Sequence, residues 1–132
     1  MAFEDDYLDV LQDIEFGIVI VYRRNNALSD FDVLDALEAL ISHYYSERRE
    51  RPKRDFRLDE RAQNVYDSVR AMCDMRIGTG ALVTKEGEEV IVGDKTVEEI
   101  LECLKRIQTS VKKWNKHYGR QGYLTFVEKY IK

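Results

Sequence analysis

Punctuation is scarce in this sequence: one proline, Pro52, and seven glycines are spread over 132 residues. A fold of many short strands needs turn residues at short, regular intervals, so this scarcity argues for a few long helices. Cysteine is equally sparse. Cys73 and Cys103 are too few for a disulfide framework and show no C-x-x-C spacing. The longest apolar run, Phe16 to Tyr22, falls far short of the roughly 20 residues that span a bilayer. The first residues, Met-Ala-Phe-Glu-Asp-Asp, carry acid where a signal peptide carries positive charge. These absences lead to the expectation of a reducing, cytoplasmic setting without a membrane partner.

What is present is a globular balance, with 44% hydrophobic and 35% charged residues. A chain of this length is the usual size of one domain, here expected to cover 1–132, with enough buried surface for one core. The net charge of -4 argues against nucleic acid as the general partner. That charge is unevenly spread. Residues 1–46 hold ten acids against two bases, whereas residues 105–132 hold eight bases against the single acid Glu128.

Apolar spacing predicts a first helix over about 4–24. Phe3, Tyr7, Leu11, Ile14, Ile18, Val21 and Tyr22 recur at helical intervals, and Asn25-Asn26 ends the pattern. Within it Phe16, Val19 and Ile20 fall off the main stripe, so 16–22 is apolar all round. This segment is either a helix buried on two sides or a buried β-branched strand. A second helix starts near Ser29, which with Asp32 forms a variant capping box, and carries Val33, Leu34, Leu37, Leu40, Ile41 and Tyr44 inward. Asp32, Asp35, Glu38 and Ser42 are expected outside. Pro52 marks a linker over 50–58.

A third helix is expected from Asp59 to Ile77, capped by Gly78, and a β-hairpin over 81–92 turns at Glu86-Gly87. Thr96 and Glu99 make a capping box for a fourth helix that runs to Gly119. A short last helix follows from Tyr123 to Ile131. The expected class is all-α: four main helices, a short C-terminal one and a small hairpin. A small α+β sheet is the alternative if 16–22 is a strand.

Catalytic chemistry has little to work with. There is no G-x-S-x-G, no phosphate-cradling glycine pattern, and no serine with a usable histidine, since His43 cannot face its neighbour Ser42 on a helix. His43 and Glu47 stand i,i+4, a spacing that supplies two metal ligands at most. No catalytic residue, metal or cofactor is therefore expected. One short motif stands apart: Glu98-Glu99-Ile100-Leu101-Glu102 is an E-E-x-x-E. It resembles the first half of the metal-binding signature of the all-α nucleotide pyrophosphohydrolases of the MazG and dUTPase type. The resemblance implies Mg²⁺ held by Glu98, Glu99 and Glu102. The second half, E-x-x-D, does not follow. The same acids equally suit the first turn of a helix.

Two surface features carry the remaining expectations. Lys105, Arg106, Lys112, Lys113, Lys116, His117 and Arg120 form a basic face on the fourth helix. Within it Lys112, Lys113, Lys116 and Arg120 are candidate anion-binding residues, with Trp114 and Tyr123 available for stacking. A second basic cluster, Arg48, Arg49, Arg51, Lys53, Arg54 and Arg57, surrounds Pro52. The apolar residues left over, Phe16, Val19 and Ile20, are the candidate interface of a homo-oligomer, a dimer first, or of another protein. They are alternatively covered within the monomer by the hairpin and the tail. The leading expectation is a non-catalytic interaction or scaffold domain.

Overall fold

The computed structural model describes residues 3–49, 57–77, 81–83, 85–87, 89–91 and 95–131. The chain is helical almost throughout: α1 is Phe3–Arg24, α2 Asp30–Arg49, α3 Glu60–Arg76, α4 Val97–Tyr118 and α5 Gly122–Tyr130. Two three-residue strands, β1 (Ala81–Val83) and β2 (Glu89–Ile91), pair antiparallel with Leu82 opposite Val90. Phe16 to Tyr22 lies inside α1 and has no sheet partner. The β-branched content of that run is therefore overridden by the helical stripe that continues through it.

Each of α1 and α2 packs on both α3 and α4, so α1 and α2 face each other across a diagonal. Direction follows from the side-chain bridges. Arg76 near the end of α3 donates to Asp13 of α1 at 2.7 Å, so α1 and α3 run antiparallel. The Tyr7 hydroxyl donates to Glu99, which places the starts of α1 and α4 side by side. At the bundle's other edge Lys105 of α4 donates to the Tyr45 hydroxyl of α2 at 2.6 Å. The core between the helices is Ile14, Ile18, Leu37, Leu40, Val65, Val69, Ile100, Leu104 and Val111, with Tyr44 fully buried among them. The Tyr44 hydroxyl still finds Asp74 at 2.6 Å, as a buried phenol requires.

Close approach of α1 and α3 depends on Gly17. A methyl group there would lie 3.3 Å from the Met72 side chain, and the Gly17 carbonyl accepts from the Ser68 hydroxyl at 2.7 Å. Local caps fix the helix starts. Asp59 accepts from the Ala62 amide, and Thr96 and Glu99 form the reciprocal capping box. Ser29 and Asp32 cap α2 in the same reciprocal way, Ser29 N–H donating to Asp32 at 2.9 Å. Asp32 is consequently buried, at 7% exposure, and not on the outer face as its spacing suggests. The expected linker around Pro52 and the expected cap Gly78 lie outside the described residues.

The residue that joins the fifth helix to the rest is Asp30, invisible to periodicity because it begins α2. Its carboxylate is fully buried and accepts the backbone amides of Tyr123 (3.0 Å) and Leu124 (3.2 Å) and the Asn115 side-chain amide (3.1 Å). One side chain of α2 thus caps the N-terminus of α5, where donors are unpaired and the macrodipole is positive. The Asp30 N–H in turn donates to the Arg120 carbonyl at 2.8 Å. Gln121 donates to the carbonyls of Asn26 (2.6 Å) and Leu28 (2.8 Å), tying the α4–α5 corner to the α1–α2 corner. Burial raises the Asp30 carboxyl pKa, and the amide donors of Tyr123, Asn115, Leu124 and Gly122 pull it back. Asp30→Ala strands two helix-terminal amides. It is expected to cost about 3 kcal/mol in urea unfolding and to abolish exchange protection at the Tyr123 and Leu124 amides. Retained protection there contradicts the cap.

Candidate aromatic docking face

Helix α5 lies over α1 and α4. On α1 the ridge Glu15, Val19, Arg23 runs beneath it at i,i+4 spacing. Arg23 donates to the Ile131 carbonyl at 2.7 Å and pairs with Glu128 at 3.5 Å. Val19, between Glu15 and Arg23, is completely buried. Of the expected interface trio, Val19 is therefore covered within the monomer by the tail. Ile20 is half-buried on the other side, against α3, and lines a hollow of about 460 Å³ with Arg24, Asn64 and Ser68. Phe16 stays 40% exposed. The three do not form one patch.

Phe16 instead borders a hollow shared with Tyr130, at the margin of a set of stacked aromatics on α4 and α5. Trp114 of α4 stacks on Phe126 of α5 with ring centroids 3.9 Å apart and planes 11° from parallel. Tyr118 stacks on Trp114 at 5.1 Å, and Tyr130 lies against Phe126 at 6.0 Å and 14°. The result is a stacked column, Tyr118–Trp114–Phe126–Tyr130, along the outside of the α4–α5 pair, with the Tyr118 ring tilted 28° from Trp114. Its ends are open: Tyr118 is 70% exposed and Tyr130 53%. Gly122 permits the close α4–α5 approach that forms the column, since a methyl group there would lie 2.5 Å from the Trp114 carbonyl oxygen.

A hollow flanks each end. Trp114, Tyr118, Gly122, Thr125, Phe126 and Lys129 line one of about 310 Å³. Gln12, Asp13, Phe16, Tyr130 and Ile131 line another of about 450 Å³. Lys129, in the last turn of α5 beside Tyr130, lines the first of these hollows together with Tyr118, and exposed His117 and Arg120 flank Tyr118 in sequence. Asp13 sits at the Phe16 end, where Asp9 and Asp13 share the one guanidinium of Arg76. No protein-family model matches the chain, and neither any curated protein nor any solved structure is significantly similar to it.

The other candidate residues are placed as follows. Lys112, Lys113, Lys116 and Arg120 are all exposed. At 100° per residue Lys112 and Lys116 lie about 160° around α4 from Trp114, so the lysines and the aromatic column occupy different sides. Tyr123, expected to be available for stacking, is buried at 1% exposure because Asp30 pulls its end of α5 into the core. Glu99 is engaged by Thr96 and Tyr7, bonds that hold its carboxyl below the usual range. Glu102 is exposed beside Lys105 at 4.0 Å. Among the described residues no group of three or more His, Cys, Asp or Glu side chains is placed to hold a metal ion. His43 is buried edge-on to Tyr44. The basic residues Arg51, Lys53 and Arg54 lie outside the described residues, and Arg57 is exposed. Among the described residues no helix is long and apolar enough to cross a membrane.

Reactive chemistry is damped in the core. Burial pushes the Cys73 thiol up strongly and the Cys103 thiol to about 11, so both are neutral at neutral pH and poor nucleophiles. The Tyr123 phenol is fully buried, without a hydrogen-bond partner among the described residues, and is driven far upward by burial and then by the Glu15 and Asp30 carboxylates. Glu15, on the α1 ridge beneath α5, is raised by burial to about 7.

For Glu15 the folded pKa exceeds the unfolded value, so the folded chain binds more protons between pH 4.5 and 7. Stability is expected to fall as pH rises through that window, because α5 then covers a charged carboxylate. Glu15→Gln removes the penalty. The variant is expected to match the parent near pH 4.5 and to exceed it by about 1–2 kcal/mol at pH 8, the full linkage being reduced by partial solvation. A difference independent of pH contradicts this.

Proposed function

We propose that this chain is a non-catalytic protein-interaction domain, acting as an accessory or self-associating module through the Phe16–Tyr130–Phe126–Trp114–Tyr118 face. The observation that carries the reading is the open aromatic column, with its terminal tyrosines 70% and 53% exposed. Aromatic rings of this kind supply large contact area at low entropic cost, and they dominate the centres of protein interfaces. A column needed only to seal α4 against α5 would end at Trp114 and Phe126. Tyr118 and Tyr130 extend it into solvent.

Anion or nucleic-acid binding fits the same surface less well. A stacking site for bases needs several cations beside the rings; Lys129 lines the aromatic hollow, but Lys112 and Lys116 of the expected basic face stand on the far side of α4 from Trp114. A Mg²⁺-dependent hydrolase reading fits less well again, because Glu99 serves as the helix cap and Glu102 faces solvent beside Lys105.

The direct test is a photo-activatable side chain placed at position 118, with the same group at exposed Arg61 of α3 as control. Discrete protein adducts from position 118 and none from position 61 are expected. Adducts to nucleic acid alone, or no adducts, overturn the proposal. Tyr118→Asp is expected to abolish those contacts while shifting folding stability by no more than about 1 kcal/mol, since the side chain lies outside the core.

A further inference from the structure

The contact between α1 and α3 has an opening beside it. The two helices touch at Gly17, whose carbonyl accepts from the Ser68 hydroxyl at 2.7 Å. One turn further along α1 they border the hollow of about 460 Å³, lined by Ile20, Val21 and Arg24 from α1 and by Asn64, Asp67 and Ser68 from α3. Helical spacing puts each set on one face. Residues 20 and 24 stand i,i+4, and residues 64, 67 and 68 stand at i, i+3 and i+4.

The hollow holds opposite charges that do not pair. Arg24 on the α1 wall and Asp67 on the α3 wall both line it, yet Arg24 has no ion-pair or hydrogen-bond partner among the described residues. Arg23, Arg70 and Arg76 of the same two helices are each in an ion pair. Asp67 engages the Gln63 side chain through one oxygen at 2.9 Å, and its other oxygen is open. The Asn64 side-chain amide is likewise without a partner among the described residues. Ser68 has given its proton to Gly17 and keeps lone pairs to accept with. Half-buried Ile20 and buried Val21 supply apolar surface between these groups.

We infer that this hollow binds a small aliphatic zwitterion, a free α-amino acid. Its carboxylate sits on Arg24, its ammonium on Asp67, and its side chain on Ile20 and Val21. A guanidinium presents paired N–H donors that match a carboxylate, and an open carboxylate oxygen takes an ammonium N–H. Asn64, one turn before Asp67 on the same face, serves either end, since an amide both donates and accepts. An anion alone meets the uncompensated charge of Asp67, and a cation alone that of Arg24. Only a ligand carrying both charges answers both walls. The volume falls within the range of roughly 300–1,000 Å³ usual for small-molecule sites. The hollow lies on the α3 side of α1, away from α5, so the inference does not depend on the aromatic face.

The test is a titration followed by amide NMR, with leucine and two analogues that each lack one charge, 3-methylbutylamine and 4-methylpentanoate. Leucine is expected to shift the amides of Ile20, Arg24, Asn64 and Ser68 saturably, and each analogue to bind roughly tenfold more weakly, as loss of one charge-assisted contact implies. Arg24→Met is expected to bring leucine down to the affinity of the amine, and Asp67→Asn to that of the acid. Both substitutions replace exposed side chains, and an unchanged amide spectrum away from the hollow confirms the fold. No saturable shift with leucine, shifts confined to other parts of the bundle, or equal binding of all three compounds overturns the proposal. Retention of the full leucine preference in both variants overturns it as well.

Discussion

One buried carboxylate organises the outer half of this molecule. Asp30 is the first residue of α2, yet its acceptors are spent on the first turn of α5 and on Asn115 of α4. Removing a carboxylate from water is costly, and only several well-placed donors offset that cost. The donors exist because a helix N-terminus leaves its amides unpaired. Two unfavourable groups thus satisfy each other, and in doing so they set α5 across α1 and α4. Gly122 allows the approach, and Arg23 closes the far end of α5 by donating to Ile131.

The aromatic column follows from that placement. Trp114 stands at the edge of the α4 core stripe, where it completes no buried layer by itself. Once α5 is seated, Phe126 stacks on it, and Tyr118 and Tyr130 extend the stack beyond both ends of the contact. The same seating buries Val19 and Tyr123 and leaves Phe16 at the margin beside Tyr130. Helix α5 therefore performs two tasks: it covers the second apolar side of α1, and it presents a new apolar face of its own.

Much of this was legible in the sequence and some was not, for identifiable reasons. Helical spacing located all five helices, and the Ser29/Asp32 and Thr96/Glu99 boxes marked two starts, because these signals are local. The two-sided apolar character of 16–22 was real, but its meaning was divided: Val19 serves the tail, Ile20 the α3 groove, and Phe16 the surface. Periodicity reports that a side chain is apolar and not which neighbour covers it. Tyr123 was misplaced because a buried phenol and an exposed one have the same letter and the same spacing. Asp30 is legible as a helix start but not as the cap of α5, since its partners lie 85 to 94 residues away. The column could have been suspected from Trp114, Tyr118, Phe126 and Tyr130, paired at i,i+4 on two adjacent helices, had the corner at Gly119–Gly122 been read as a tight reversal.

The proposed interaction role of the aromatic face assembled by α5 is tested most directly by native mass spectrometry of the protein as isolated from its cell. The account predicts an assembly with a protein partner that releases single chains of 15.6 kDa in the Tyr118→Asp variant. A single-chain mass across the whole concentration range, or an assembly that survives Tyr118→Asp unchanged, contradicts it.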